Sequence, residues 1–91
     1  MKILTYFTEY GIPKEGLSPT IRIRKLSDNS LVITDAAMSE VGDGSYAYNF
    51  TGYTNEEYSI RCYGGSGLPI EEQYSYGGFD TTDISNDIVI C

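Results

Sequence analysis

The sequence contains no histidine, no tryptophan and only two cysteines, Cys62 and Cys91. Without histidine, the chain lacks the commonest metal ligand and the usual base of serine and cysteine hydrolases. Two cysteines alone make a poor zinc site, because structural zinc takes four cysteine or histidine ligands. Phosphate-binding loops, dinucleotide fingerprints and nucleophile elbows are also absent, which leaves only paired carboxylates as a catalytic type. We predict that the protein is not an enzyme and needs no cofactor or metal ion.

Apolar residues never continue for the roughly 20 positions that a membrane-spanning helix needs, and the first ten residues are too polar for a signal peptide. Acidic residues outnumber basic ones by 13 to 6, so the formal net charge is −7. Such a charge repels nucleic acid and anionic membranes. We expect a chain that is made in a cytoplasm and binds neither of them. In that compartment Cys62 is expected to be a buried free thiol, and a disulfide at Cys91 is disfavoured.

Aromatic and aliphatic residues alternate with polar ones along several segments, which is the period of a half-buried strand. The alternating sets are Tyr46, Tyr48 and Phe50; Tyr58, Ile60 and Cys62; Tyr74 and Tyr76; and Ile21 and Ile23 between Arg22 and Arg24. Turn residues separate these segments at the spacing of an antiparallel sandwich. We therefore predict a single all-β domain over residues 1–78, a sandwich or a small barrel. Its last core strand is predicted at Ile70–Tyr76, and residues 79–91 form a tail.

Two segments carry more specific predictions. Tyr58 follows a connecting loop at the start of a strand, which is typical of a tyrosine corner whose hydroxyl bonds back to the loop backbone. The segment Asp35–Val41 is ambiguous, because Asp35 is able to cap one helical turn or the segment is a loop that places Met38 in the core. Asp35, Glu40 and Asp43 offer oxygen ligands for calcium, but their spacing is not that of an EF-hand, and we interpret them as turn and cap residues.

The tail is polar until it ends in Ile88, Val89, Ile90 and Cys91. A β-prone apolar end of this kind folds back as an edge strand, pairs with a neighbouring chain or frays, and the sequence leaves the three alternatives open.

One pattern is similar to that of a known group of proteins. It consists of residues 16–23 (GLSPTIRI), residues 38–50 (MSEVGDGSYAYNF) and residues 58–61 (YSIR). A loop that ends in Gly-x-Gly-x-Tyr and leads into a tyrosine-rich strand resembles the small immunoglobulin-like or prealbumin-like β-sandwich accessory proteins of tailed bacteriophages. The resemblance covers roughly residues 1–78 and offers no catalytic residues. It implies that the domain is an immunoglobulin-like antiparallel sandwich of about seven strands.

The resemblance implies a non-enzymatic structural or accessory protein of the virion, in the capsid, neck or tail, whose partners are other virion proteins and copies of itself. Exposed tyrosines provide rigid amphipathic contact area for such docking. The partner-binding residues that we predict are Tyr53, Tyr63, Ile88, Val89, Ile90 and Cys91. Two alternatives remain, namely a small acidic inhibitor or decoy of a basic host protein, which the charge favours, and a carbohydrate-binding module with aromatic platforms.

Overall fold

Alternating apolar residues build two four-stranded sheets and one short hairpin in the part of the chain that the computed structural model describes, which is residues 1–81 and the backbone of residues 88–90. The strands are β1 (Lys2–Tyr6), β2 (Thr8–Glu9), β3 (Ile12–Pro13), β4 (Thr20–Lys25), β5 (Leu31–Ala37), β6 (Ser39–Gly42), β7 (Ser45–Asn49), β8 (Glu57–Tyr63), β9 (Tyr74–Asp80) and β10 (Ile88–Ile90).

The first sheet has the strand order β10-β1-β7-β6, and the second has the order β5-β4-β8-β9. Neighbouring strands are antiparallel, except that β10 runs parallel to β1. The hairpin of β2 and β3 lies outside both sheets. The described chain is therefore all-β, as the sequence predicts, and its arrangement is that of a β-sandwich.

The core lies between the two sheets and is made by the inner faces of their strands. Its buried members come from both sheets and from the loops between them: Ile3, Phe7, Ile21, Ile23, Met38, Tyr46, Phe50, Tyr58, Ile60, Cys62, Leu68 and Phe79. The alternation predicted for β4, β7 and β8 is confirmed, with Tyr48 partly buried against this cluster. Burial raises the pKa of the Cys62 thiol to about 11, a shift that the Thr5 hydroxyl partly opposes. Cys62 is a buried free thiol, as expected.

Two buried tyrosines use their hydroxyl groups to fix loops on the core. The Tyr46 hydroxyl donates to the carbonyl oxygen of Lys14 at 2.8 Å and accepts from the amide of Leu17 at 3.1 Å. The Tyr58 hydroxyl donates to the carbonyl oxygen of Thr54 at 2.6 Å, four residues earlier in the connecting loop. The tyrosine corner predicted at Tyr58 is therefore confirmed.

The ambiguous segment Asp35–Val41 is extended, so the helical alternative is wrong. It consists of the end of β5 in the second sheet and most of β6 in the first sheet, joined by Met38 alone. Met38 is buried, and its amide donates to the carbonyl oxygen of Pro19 at 3.0 Å. The chain crosses from one sheet to the other at this residue, which explains why its local pattern resembles neither a helix nor a regular hairpin.

The predicted last strand, Ile70–Tyr76, is displaced. Ile70–Glu72 forms a short 3-10 turn, and β9 runs from Tyr74 to Asp80. Phe79 is buried, whereas Tyr74 and Tyr76 are 40% and 67% exposed. The core thus includes a residue beyond position 78, and the two tyrosines face outward.

The tail returns to the domain as β10, whose backbone pairs with β1 from Ile3↔Ile88 to Thr5↔Ile90. Among the three alternatives for the tail, the structure therefore shows the one in which residues Ile88–Ile90 fold back as an edge strand. Cys91, residues 82–87 and the side chains of Ile88, Val89 and Ile90 lie outside the described part of the chain.

Candidate interaction surface

Arginine and tyrosine side chains lie together on the outer face of the second sheet. Because Ile21, Ile23 and the alternate residues of β8 point into the core, the residues between them point outward. The strand order β4-β8-β9 then places six large side chains together on that outer face, and we call this surface the Arg–Tyr face: Arg22, Arg24, Arg61, Tyr63, Tyr74 and Tyr76. It holds all three arginines of an acidic chain.

The tyrosines of the Arg–Tyr face stand in a row. The ring centroids of Tyr63 and Tyr74 lie 4.8 Å apart, and those of Tyr74 and Tyr76 lie 5.9 Å apart with their planes inclined by 22°. The guanidinium carbon of Arg61 is 5.3 Å from the centroid of the Tyr74 ring, within cation–π range. These contacts hold the row rigid and leave Tyr76, at its end, the most exposed of the three rings.

One carboxylate faces the arginines. Asp35 accepts two hydrogen bonds from Arg22, at 3.1 Å and 2.7 Å, and its other contact is with Arg61 at 3.6 Å. The hydrogen bond with Arg22 lowers the pKa of Asp35 and raises that of Arg22. Asp35 lies at a bulge in β5, where the extra residue changes the direction of the side chain. Its φ is 50°, a conformation that aspartate tolerates better than most residues. Arg24 donates to the carbonyl oxygen of Asn29 at 2.8 Å.

A groove of about 370 Å³ lies within the Arg–Tyr face. Its lining residues are the three arginines with Ser59, Ile60, Tyr76 and Gly77. Ser59 pairs with Gly78 on the same face, so small residues leave this row of the sheet unfilled. The groove is therefore bounded by a tyrosine ring on one side and by guanidinium groups on the others.

The free edge of β9 borders the Arg–Tyr face. Within residues 1–81 and 88–90, β9 pairs with β8 only. Its register with β8 is regular over seven residue pairs, and it carries neither proline nor charge before Asp80. The exposed edges at β5 and β6 are instead interrupted by bulges and carry Asp35 and Glu40. Charges, prolines and bulges are what normally protect an edge strand from pairing, and β9 lacks all of them until its last residue.

The predicted partner-binding residues lie in different places. Tyr63 belongs to the Arg–Tyr face. Tyr53 is half-buried, and its ring stacks on Phe50 with a centroid distance of 4.9 Å, so it contributes to the core margin. The backbone of the strand Ile88–Ile90 is engaged with β1. The sequence shows that Arg22 and Arg24 share a face, but Arg61 and Tyr76 join them only through the strand order, which the local pattern does not reveal.

Two of the three residues considered as calcium ligands, Asp35 and Glu40, contact other groups of the protein. Asp35 binds arginines, and both carboxylate oxygens of Glu40 lie 3.3 Å from the amide of Gly16. Within the described ranges, no three histidine, cysteine, aspartate or glutamate side chains cluster as a metal site.

Comparison with protein families, with characterised proteins and with solved structures finds no match to this chain. In the residues that the structure describes, no helix is long and apolar enough to cross a membrane.

Proposed function

We propose that the chain is a non-enzymatic docking module of a bacteriophage virion, and that its copies associate through edge-to-edge pairing of β9. The virion context rests on the resemblance of residues 16–23, 38–50 and 58–61 to accessory proteins of tailed phages. The mode of association rests on one observation, the regular and almost uncharged free edge of β9. Backbone groups on such an edge form main-chain hydrogen bonds with another strand.

The sequence of β9 favours a second copy of itself as the partner. In an antiparallel pair centred on Gly77, Tyr76 lies opposite Gly78 of the second copy, and the reverse pair repeats this contact. An aromatic ring covers a cross-strand glycine well, because the glycine offers no side chain of its own. The two copies are then related by a twofold axis, and their second sheets form one eight-stranded sheet. This closed arrangement also removes both free edges of β9.

The pairing replaces the tail as the predicted docking strand. The sequence leaves pairing of Ile88–Cys91 with a neighbour open, and the backbone of Ile88–Ile90 is paired along one edge with β1 of its own chain. The other edge of β10 is only three residues long, whereas the edge of β9 is regular over seven residues, so we place the pairing at β9.

The test is light scattering after size exclusion, in reductant so that disulfides do not contribute. We expect the wild-type chain to have twice the mass of one chain. Tyr76→Lys should have the mass of one chain, because it removes the ring that covers Gly78 of the second copy and places on the edge strand a charged residue that disfavours pairing. Tyr10→Lys is the matched control, since Tyr10 is 81% exposed on the β2–β3 turn, and it should remain dimeric. A wild-type chain that is monomeric at its highest soluble concentration, or a Tyr76→Lys variant that stays dimeric, would overturn the proposal.

A further inference from the structure

We propose that the groove beside Tyr76 binds an acidic sugar, a pyranose that carries one carboxylate. The groove shares Tyr76 and Gly77 with the pairing of β9, but it lies on the face of the sheet and its arginines take no part in that pairing. Three properties of the groove support it, namely its charge, the free capacity of its guanidinium groups and the ring that bounds it.

The charge of the groove is opposite to that of the chain. The net charge is −7, yet three guanidinium groups line the groove, and the described carboxylate in contact with them is that of Asp35. Glu57 and Asp80 lie on the same face of the sheet beyond Ser59 and Gly78, and they do not line the groove. A local positive field attracts an anion, whereas the surrounding acidic surface opposes ligands with many negative charges. A nucleic acid strand, with one charge on every phosphate, is therefore a poorer match than a ligand with a single carboxylate.

All three guanidinium groups retain N–H donors, because each group carries five. Arg22 donates two hydrogen bonds to the carboxylate of Asp35 in a forked geometry. Arg24 is exposed and has one described hydrogen bond, from Nη1 to the carbonyl oxygen of Asn29. The Nε atom of Arg61 is buried and has no hydrogen-bond partner among the described residues. Guanidinium groups bind carboxylates in a forked geometry. Arg24 is exposed and is therefore the group that best fits the acid function of a ligand, and Arg61, whose Nη2 atom lies 3.6 Å from Asp35, stands beside it.

The remaining walls suit a small ring. One face of the Tyr76 ring stacks on Tyr74, with 5.9 Å between the ring centroids, and Tyr76 is 67% exposed. Its flat apolar body and polar hydroxyl match the mixed character of a pyranose, which has C–H groups on its faces and hydroxyls at its rim. Ser59 adds a hydroxyl to the lining. A volume of about 370 Å³ is at the small end of ligand clefts, which favours one or two sugar rings over a protein segment.

The test is a titration of the isotope-labelled chain, followed by amide chemical shifts, with methyl glucuronoside as the probe. We expect saturable shifts at Ser59, Gly77 and Gly78. The methyl ester of the same sugar lacks the negative charge and should bind about tenfold more weakly or worse, because it cannot form the charge-assisted pair. Inorganic phosphate and an oligothymidylate are run in parallel. Equal binding of acid and ester, no shifts with the acid, or tighter binding of phosphate or oligonucleotide would overturn the inference.

Two variants separate recognition from net charge. Arg24→Gln should weaken the acid about tenfold while leaving the oligomeric state unchanged. Lys14→Gln removes the same charge in the loop after β3, where Lys14 contacts Glu9 at 3.5 Å, and should bind like the wild type. Equal losses in both variants would show a general charge effect and would refute the site. Loss of binding in Arg24→Gln with dimerisation intact distinguishes this inference from the pairing of β9.

Discussion

Replacing Tyr58 with phenylalanine removes one oxygen atom from the tyrosine corner and leaves the ring in place. The ring of Tyr58 is 1% exposed, and its centroid lies 5.3 Å from that of Phe50 and 5.5 Å from that of Phe79, contacts that phenylalanine keeps. The lost hydroxyl donates to the carbonyl oxygen of Thr54 at 2.6 Å. Since the Thr81 hydroxyl also lies 3.2 Å from that carbonyl oxygen, the acceptor is not left unpaired.

We therefore expect Tyr58→Phe to lower the free energy of unfolding by about 1–2 kcal/mol, the lower part of the range for a lost buried hydrogen bond. For a domain of this size, that corresponds to a fall in Tm of roughly 4–16 °C. The measurement is urea unfolding followed by circular dichroism, with thermal scans beside it.

The matched control for this variant is Tyr53→Phe. Tyr53 sits in the same loop and stacks on Phe50, but its hydroxyl makes no hydrogen bond with a described residue. Its stability should stay within about 0.5 kcal/mol of wild type. The reasoning is refuted if Tyr58→Phe is equally neutral, or if the two variants are destabilised alike.

The remaining predictions concern the core and the ion pair. Gly64→Ala should destabilise the fold by about 1–3 kcal/mol through overpacking, because a β-carbon there would lie 2.7 Å from Phe7 Cδ1. Gly67→Ala, where nothing lies within 4 Å of the new β-carbon, is the control, and equal unfolding midpoints in urea would contradict this prediction. Asp35 has a lowered pKa in the folded chain, chiefly from its arginine hydrogen bond, so its contribution is present above the ordinary carboxyl pKa and is lost as pH falls through the folded value. The difference in Tm between wild type and Asp35→Asn should accordingly be largest near neutral pH and vanish in acid, and a difference independent of pH would argue against the ion pair.

Where side-chain alternation and burial coincide, the sequence is sufficient to predict the structure. The inward positions of β4, β7 and β8 follow from a period of two and from the polar residues between them. The corner at Tyr58 follows from the position of one tyrosine after a loop. These features depend on residues close in sequence, so local chemistry decides them.

The outward direction of Tyr74 and Tyr76 is different. Alternation separates two faces of a strand, but it does not say which face is inside, and a shift by one residue exchanges them. Phe79 lies on the inner face of β9, so residues an odd number of positions away from it point outward. The groove is subject to the same limit, because Arg24 and Tyr76 meet only through strand pairing between distant segments.

The parallel pairing of β10 with β1 has a mechanical consequence. A pull applied to the chain before Lys2 and after Ile90 draws two strands that run in the same direction past each other along their length. Their hydrogen bonds then carry the load together, instead of opening one after another as in a hairpin that is peeled from its ends. β1 is also held on its other side by five residue pairs with β7. The first sheet is thus built to transmit tension along its strands.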